Sequence, residues 1–300
     1  MPSPLPRRRA DEMDGVPPLP PKRAGLGLKP AFFEAVMDCA ARGAAPTWVE
    51  VHPQNYFMDG GPMHRWLAQI RDALPVSFHS VGLSMGDPGG VNRAELDQLV
   101  SLCDRYQPAL VSDHLSWSSL GGEQFPDLLP FPMTDQTLDH FADQVDLVQE
   151  KLGRPMLVEN PSRMTAFQGD TYGEVDFLHA LARRTGCGLL MDVNNLLVSR
   201  TNLGIDPNDY VGALDGSLIG EIHIAGHSVE DHGNGEMLAV DDHGSPVSEE
   251  CWTLLDRLLD RIGPRPVLLE RDNDIPDFDE LLGEAERADA MLTRRLAYVA

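Results

Sequence analysis

The stretch from Thr47 to His79 reads Thr-Trp-Val-Glu-Val-His52, then a helical segment around Met63–Ala73, then Val76-Ser-Phe-His79. A short apolar run that ends in histidine is therefore followed by a helix and by a second run of the same kind. This order is typical of a βα unit in a parallel sheet. The carboxyl end of each such strand carries a polar side chain.

The same unit recurs on both sides of this stretch. Strands are predicted over Gly25–Leu28, Thr47–His52, Val76–His79, Ala109–Asp113, Pro155–Glu159, Gly188–Asp192, Ser217–His223 and Pro266–Glu270. Helices are predicted near Ala31–Ala41, Met63–Ala73, Asn92–Arg105, from Thr134, over Glu174–Thr185, Pro207–Leu214 and Ser248–Ile262, and from Asp277. Long loops are expected at 120–132 and 224–247, and a turn at 193–195.

Eight such units predict one α/β domain, a closed (β/α)₈ TIM barrel. An open, doubly wound sheet is the alternative, but no GxGxxG motif follows the first predicted strand. With 300 residues, of which 42% are hydrophobic, the chain is long enough for one barrel. We expect the barrel over residues 24–300, after a flexible, proline-containing tail over residues 1–23.

Composition limits the function and the compartment. The formal net charge of −23 argues against a nucleic-acid-binding surface, which normally carries a basic patch. No run approaches the roughly 18 apolar residues that cross a bilayer, and the N-terminus lacks the apolar core of a secretory signal. The four cysteines are far apart and form no CxxC pair, so we expect free thiols in a reducing cytoplasm.

Metal-capable side chains end or follow most of the predicted strands. In a closed barrel the carboxyl ends of all strands meet at one face, where barrel active sites lie. A single histidine or carboxylate there is more often structural, as a helix cap or an ion-pair partner. Several together are harder to explain in that way, because buried carboxylates without partners repel one another. A cluster that contains Glu159, Asp192, Asp241 and Glu270 needs cations, and metal ions would supply them.

Two local spacings extend this cluster. If the chain turns directly after the strand, Asp192 and Asn195 both face the site; an Asn-rich turn without a ligand role is the alternative. Asp241 and His243 are two positions apart on an extended loop, which points both side chains to the same side. These two residues are therefore predicted to act together as ligands.

A third spacing involves two histidines. His223 ends a strand, and Ala225-Gly226 gives the chain room to bend back. His227 is then either a ligand or a residue that contacts a ligand or the substrate. Because the pattern offers imidazole and carboxylate but no thiolate, it favours iron, manganese or zinc. Spacing alone leaves a redox centre and a hydrolytic centre both open.

Longer motifs carry a resemblance to a known family. In chain order they are Glu50-Val-His-Pro-Gln-Asn-Tyr-Phe57, Phe78-His-Ser-Val-Gly-Leu-Ser84, Ser112-Asp-His-Leu-Ser-Trp117, Glu159-Asn-Pro-Ser162, Asp192-Val-Asn-Asn195, His223-Ile-Ala-Gly-His227, Asp242-His-Gly-Ser-Pro-Val247 and Asp274-Ile-Pro276. With these motifs the chain resembles the multinuclear non-haem iron-dependent oxidases, the family that includes the methanobactin-biosynthesis oxidase. The resemblance covers residues 25–290. One departure is Gln54, where the family motif commonly has glutamate.

The resemblance implies a barrel related to xylose isomerase that holds two or three irons, including a mixed-valence Fe(II)/Fe(III) pair. It also implies oxidation of cysteine, or of the neighbouring backbone, in a ribosomally synthesised precursor peptide, with O₂ as co-substrate. A small partner protein is expected to present the peptide. The implied iron ligands are His79, His114, Glu159, Asp192, Asn195, His223, Asp241, His243 and Glu270. The expected catalytic residues are His52, His227 and Asp192. Asp192 is thus expected to be both an iron ligand and a catalytic residue.

Other functions are weighed against this one. A zinc-dependent hydrolase or phosphodiesterase would use the same kind of ligands to activate water. A sugar isomerase is expected to show a catalytic lysine or paired acidic metal sites. A metal-storage or peptide-binding protein without activity is less favoured, because the ligand positions are intact.

Overall fold

The computed structural model describes residues 23–121, 123–231, 233 and 235–296. Except for Arg23, the tail predicted over residues 1–23 lies outside the described residues, as do residues 297–300. The strands are β1 (Ala24–Gly27), β2 (Val49–Val51), β3 (Val76–His79), β4 (Leu110–His114), β5 (Trp117–Leu120), β6 (Glu123–Leu129), β7 (Leu157–Glu159), β8 (Gly188–Asp192), β9 (Ile219–Ile224), β10 (Ser228–Asp231), β11 (Met237–Val240) and β12 (Val267–Leu269). The α-helices are α1 (Phe33–Arg42), α2 (Pro62–Ala73), α3 (Arg93–Tyr106), α4 (Asp135–Leu152), α5 (Glu174–Thr185), α6 (Val193–Leu203), α7 (Pro207–Ala213), α8 (Glu249–Ile262) and α9 (Phe278–Leu296).

Eight of these strands close into a barrel in the order β1-β12-β9-β8-β7-β4-β3-β2. All of the pairs are parallel, and β1 closes the cylinder because it pairs with both β2 and β12. Every residue of β2, β7 and β12 is buried, as expected for strands that are covered on both faces. The predicted single (β/α)₈ TIM barrel is therefore confirmed.

The register of the barrel places several predicted site residues side by side. His114 on β4 lies opposite Glu159 on β7, and Asp192 on β8 lies opposite His223 on β9. Because the strands are parallel, their carboxyl ends open at one face of the barrel, which we call the mouth.

Helix α6 differs from the prediction, because the turn expected at 193–195 is its first turn. The Asp192 carboxylate caps the helix and accepts a hydrogen bond of 2.6 Å from the Asn195 backbone N–H, which satisfies an otherwise unpaired helix donor. Residues 193–199 are all buried. The segment therefore lacks the polar face that gives a helix its 3.6-residue pattern, and the pattern fails to predict it.

Both of the predicted long loops contain an antiparallel hairpin, so the loop prediction is wrong there. Strand β5 pairs with β6, and β10 pairs with β11. Neither hairpin joins the barrel sheet. Residues 123–127 of β6 are all exposed, and the strand therefore lacks the alternation of apolar and polar residues that identifies a half-buried strand.

Candidate metal centre

Most of the predicted ligands lie at the mouth, removed from water. Those that are at most 4% exposed are His79, Glu159, Asp192, Asn195, His223 and Glu270. His114, Asp241 and His243 are partly buried. Burial removes water as a partner, so each polar atom must be satisfied by another protein group or by an ion.

The first group consists of His79, His114 and Glu159. Glu159 Oε2 lies 3.2 Å from His79 Nε2 and 3.3 Å from His114 Nε2. The two Nε2 atoms are 3.2 Å apart. Two ligands that lie about 2.1 Å from one ion, at tetrahedral or octahedral angles, are about 3.0–3.4 Å apart. The spacing of these three atoms therefore fits a shared ion. Ser112 Oγ lies 2.8 Å from His79 Nδ1 and holds the ring from behind.

A second group surrounds His223, which lies between carboxylates on both sides of its ring. Its Nδ1 lies 3.1 Å from Glu270 Oε2. On the other side, its Nε2 lies 3.3 Å from Glu50 Oε1 and 3.8 Å from Glu221 Oε1. A histidine that gives one nitrogen to a metal commonly directs the other at a carboxylate, which fixes the ring.

A third group follows β11 and β12. His243 Nε2 lies 2.9 Å from Asp241 Oδ1, and its Nδ1 lies 3.1 Å from Asp272 Oδ2 and 3.6 Å from Glu270 Oε2. The Asp-x-His spacing thus brings Asp241 and His243 together. His243 has a positive φ of 48°, so the backbone bends sharply at this residue.

Asp192 and Asn195 lie between these groups. The Asn195 side-chain amide donates to Glu159 Oε1 at 3.4 Å and to the Asn160 carbonyl at 2.9 Å. Five sets of three side chains each place their ligand atoms within 4.8 Å of one another, and they share Glu159, Asp192, His223 and Glu270. Shared carboxylates suit a centre with more than one metal ion.

The two predicted catalytic histidines differ in position. His52 Nε2 lies 3.6 Å from Asp272 Oδ1, and its ring centre is 5.8 Å from that of His79. His227 lies outside the five sets. Its Nδ1 is 2.7 Å from Asn194 Oδ1, and the Asn194 amide donates to Asp241 Oδ1 at 2.8 Å. His227 is thus connected to Asp241 through Asn194.

Unsatisfied polar atoms provide the test of whether a metal fits. Buried atoms without a hydrogen-bond partner among the described residues include His114 Nδ1, Glu159 Oε2, Asp192 Oδ2, Asn195 Oδ1 and His243 Nε2. Such atoms are rare in folded proteins and costly in free energy. Because they lie together at the mouth and are mostly acceptors or ring nitrogens, bound cations account for them best.

The pKa values of the first group and of Asp192 also favour a bound metal ion. Burial raises the pKa of Glu159 well above its usual range, and it raises that of Asp192 to about 7. Burial also lowers the pKa of His79 well below its usual value and that of His114 to about 4. Both histidines are therefore neutral at pH 7, the form that binds a metal ion.

Four nearby residues are absent from the predicted site: Lys29, Glu50, Glu221 and Asp272. Lys29 forms an ion pair with Asp272. Glu50, Glu221 and Asp272 each lie two positions from a predicted site residue, namely His52, His223 and Glu270. Because side chains two positions apart on a strand point to the same face, this spacing is the signal that identifies them.

The fold has well-defined relatives among solved structures. A xylose isomerase-like TIM barrel protein from Mycobacterium smegmatis, in complex with magnesium, aligns with a TM-score of 0.59 at 13% identity, over 92% of this chain and 97% of that one. Endonuclease IV from Thermus thermophilus aligns with a TM-score of 0.57 at 17% identity, over 91% of this chain and 99% of that one. The chain thus has the fold of the xylose-isomerase-like TIM barrels.

The family follows from the sequence. The model of the family described as "RiPP precursor modification enzyme MbnB/TglH/ChrH" matches residues 23–293, and the chain belongs to this family of enzymes that modify ribosomally synthesised precursor peptides. The resemblance found in the motifs is confirmed at this level.

Relatives of similar length extend over nearly the whole chain. The UPF0276 protein of Caulobacter sp. strain K31 is 48% identical over 270 residues, 90% of this chain and 96% of that protein. The UPF0276 protein of Paraburkholderia phytofirmans is 43% identical over 265 residues, 88% of this chain and 86% of that protein. Among the described residues, no helix is both long enough and apolar enough to span a membrane.

Proposed function

We propose that this enzyme is a multinuclear non-haem iron-dependent oxidase that uses O₂ to modify cysteine in a precursor peptide. The observation that carries the proposal is the contiguous set of imidazole and carboxylate groups at the mouth, joined through shared carboxylates. The family supplies the peptide substrate. A cytoplasmic location, a small partner protein that presents the peptide, and one barrel domain over residues 24–300 stay predictions.

The ligand types are compatible with iron, which the proposed oxidation requires. The four cysteines are buried, and none belongs to the five sets of side chains at the mouth. Nitrogen and oxygen donors without a protein thiolate suit iron, manganese or zinc. We assign the ligand role to His79, His114, Glu159, Asp192, Asn195, His223, Asp241, His243 and Glu270.

Bound iron would lower the pKa of the substrate thiol and supply the redox chemistry that O₂ requires. The protein orients the reacting groups: Ser112 and Glu50 fix the rings of His79 and His223 from behind. Such positioning replaces an encounter in solution by a preset geometry.

Residues at the edge of the candidate metal centre are suited to transfer protons. His52 is 24% exposed, more than any other histidine in the five sets. Burial lowers its pKa, but the Asp272 and Glu270 carboxylates together more than offset this, so that the pKa of His52 is raised. His52 is therefore suited to hold a proton near neutral pH and to exchange it with the substrate at Nε2.

The first experiment determines the metal. Anaerobically purified protein is examined by elemental analysis and Mössbauer spectroscopy, and an aerobic reaction with a cysteine-containing peptide is followed by mass spectrometry. Two or three irons per chain with a coupled ferrous–ferric pair, and a mass change that is absent when serine replaces the cysteine, support the oxidase. Zinc alone that persists after iron supplementation would instead favour the hydrolase.

The variants His79→Ala and Glu159→Ala are expected to lose iron and turnover. Glu150→Ala changes an exposed glutamate near the end of α4 and serves as the control, with unchanged iron content. Full turnover in metal-depleted His79→Ala protein would defeat the proposal.

A further inference from the structure

The exposed large hydrophobic side chains of the described residues all lie on one face. Those that are at least 36% exposed are Met58, Leu120, Phe125, Met164, Phe167, Val229, Met237 and Ile275. They belong to the five segments that follow β2, β4, β7, β9 and β12, and all of these segments lie at the mouth. We call these eight residues the mouth rim.

This distribution differs from ordinary surface composition. Single exposed hydrophobic residues are normal anywhere on a protein. Here the described segments at the opposite end of the barrel, which lead from helix to strand, contain none at this level of exposure. Exposed apolar groups concentrated around one opening indicate a surface that is covered when a partner binds.

The charges beside the mouth rim have one sign. Exposed acidic residues on the same segments include Asp59, Glu123, Asp127, Asp231, Glu236, Asp274 and Asp277. The basic residues between strand and helix, within the described chain at this face, are Lys29, Arg163 and Arg271. Each of them pairs with a carboxylate: Asp272, Asp170 and Glu284, respectively. The side chains that remain to receive a partner are therefore acidic and apolar.

The β5–β6 hairpin presents these groups most openly. Phe125 is 39% exposed and contacts Trp117 edge to face, with ring centres 5.7 Å apart. Glu123 and Asp127, on either side of Phe125, are also exposed. Strand β6 pairs with β5 alone among the described strands, and an exposed edge with unpaired backbone groups is ready to pair with another chain. The hairpin thus offers an extended polypeptide both apolar contact and negative charge.

We propose that the mouth rim docks an extended peptide segment in which lysine or arginine side chains lie beside apolar ones. This inference rests on the proposed function, since the segment would be part of the precursor peptide near the residue that is modified. A second copy of this chain is disfavoured as the occupant, because it would bring a net charge of −23 and the same acidic face.

The probe is a short fluorescein-labelled peptide of alternating lysine and leucine, with a single central serine where a substrate would have cysteine. Its binding to the full-length, metal-loaded protein is measured by fluorescence anisotropy at low and at moderate salt. We expect saturable binding that weakens with salt. Two peptides of equal length, one with glutamate for lysine and one with serine for leucine, are expected to bind at least about tenfold more weakly.

Matched variants locate the binding. Phe125→Ser, and Glu123→Gln combined with Asp127→Asn, are each expected to weaken binding by about tenfold. The charge control combines Glu150→Gln with Asp104→Asn, which removes the same charges from exposed positions on α4 and α3. Melting temperature and iron content are measured for every variant, so that a loss of folding is recognised.

Several outcomes would overturn the inference. Equal binding of the lysine and glutamate peptides would overturn it. An equal loss of binding in the charge-control variant and in the Glu123→Gln/Asp127→Asn variant would also overturn it, because it would indicate a general charge effect. A dimer that Phe125→Ser dissociates would make a second copy the occupant. Because the probe lacks cysteine, its binding is independent of turnover. Lost probe binding with normal iron chemistry refutes only the docking surface, whereas absent iron chemistry with normal binding refutes only the oxidase.

Discussion

Glu50 and His52 lie two positions apart on the segment that ends β2, so both side chains face the barrel interior. Glu50 is 4% exposed and its Oε1 lies 3.3 Å from His223 Nε2. Burial lowers the pKa of His223, but the charges of Glu50, Glu221 and Glu270 raise it more, to well above its usual value. With Nε2 held toward Glu50, the His223 Nδ1 faces Glu270 at the mouth. Glu50 is therefore a positioning residue in our interpretation.

The variant Glu50→Gln tests this at the residue scale. We expect iron affinity to fall by about 10–100-fold, the usual cost of losing a group that orients a ligand, with the number of bound ions unchanged. Affinity is measured by competition with a chelator, with Glu150→Gln as the control. A drop in the number of bound ions would show instead that Glu50 is a metal ligand. Unchanged iron affinity would show that Glu50 does not position His223.

Among the elements, α6 fixes the β10–β11 hairpin and with it the loop that carries two ligands. The Asn202 amide donates to the Ala239 carbonyl at 3.0 Å and accepts from the Ala239 N–H at 2.8 Å. The Asn202 side chain therefore pairs with both backbone groups of Ala239, as a residue of a neighbouring strand would. Asp241 and His243 lie two and four positions after Ala239, so the position of β11 sets where their side chains enter the mouth.

Removing this connection should affect the metal centre from a distance. Asn202→Ala leaves the Ala239 backbone groups unpaired, at a cost of about 1–3 kcal/mol in unfolding free energy. We expect weaker iron binding as well, because the loop with Asp241 and His243 is released. Thr201→Ala, on the preceding residue, is the control. Chemical denaturation and iron titration measure the two effects, and normal iron affinity in a destabilised Asn202→Ala protein would contradict the coupling.

A buried cluster of polar side chains connects α5, α7 and the segment after β7. The Tyr210 hydroxyl donates to Glu174 Oε1 at 2.7 Å, and Arg163 Nε lies 3.9 Å from Glu174 Oε2. Burial raises the pKa of Glu174 from 4.5 to about 7, although Tyr210 and Arg163 act in the opposite direction. The folded protein therefore holds this proton more tightly than the unfolded chain does.

Stability should consequently fall as the pH rises through this range. A pKa raised from 4.5 to about 7 corresponds to a loss of about 3 kcal/mol in unfolding free energy between these two pH values, and to no further loss above them. Glu174→Gln is expected to reduce the pH dependence of stability by this amount, whereas the exposed Asp176→Asn should leave it unchanged. Urea unfolding of metal-free protein at both ends of the range measures the difference, and parallel curves for wild type and Glu174→Gln would refute the prediction.

For the whole molecule, the balance of 47 acidic against 24 basic residues matters most where carboxylates are buried together. Without a cation, the ionised forms of Glu159 and Asp192 are costly, which is why burial raises their pKa values. An ion that binds only the folded state stabilises it by mass action. The metal centre is therefore expected to contribute to the stability of the barrel as well as to its chemistry.

Chelation should lower the melting temperature. At an ion concentration about 100 times the dissociation constant, the lost stabilisation is about 3 kcal/mol. In metal-free protein at mildly alkaline pH, Glu159→Gln is expected to raise the melting temperature, because it removes a carboxyl group whose ionisation is opposed by burial. Scanning calorimetry of the loaded, metal-free and variant proteins provides the comparison. Identical melting of loaded and metal-free protein would show that the site contributes nothing to the fold.

The sequence by itself determined the barrel and the kinds of side chain at its mouth. Apolar runs alternating with helical segments are local signals, and the end of each run can be read without knowing its neighbours. The residues at those ends, such as His79, Glu159 and Asp192, were therefore identifiable from the chain alone. The family motifs contain the same positions.

Only the tertiary structure decided which of these side chains meet. The pairing of His114 with Glu159 and of Asp192 with His223 depends on the register between strands, which has no local signature. The same holds for the ion pair of Lys29 with Asp272, which joins the segment after β1 to the segment after β12. Helix α6 was missed because its first seven residues are all buried. The two hairpins were missed because they include strands that are largely exposed. Neither pattern shows the alternation from which secondary structure is predicted, since that alternation arises only where one face meets the core and the other meets water.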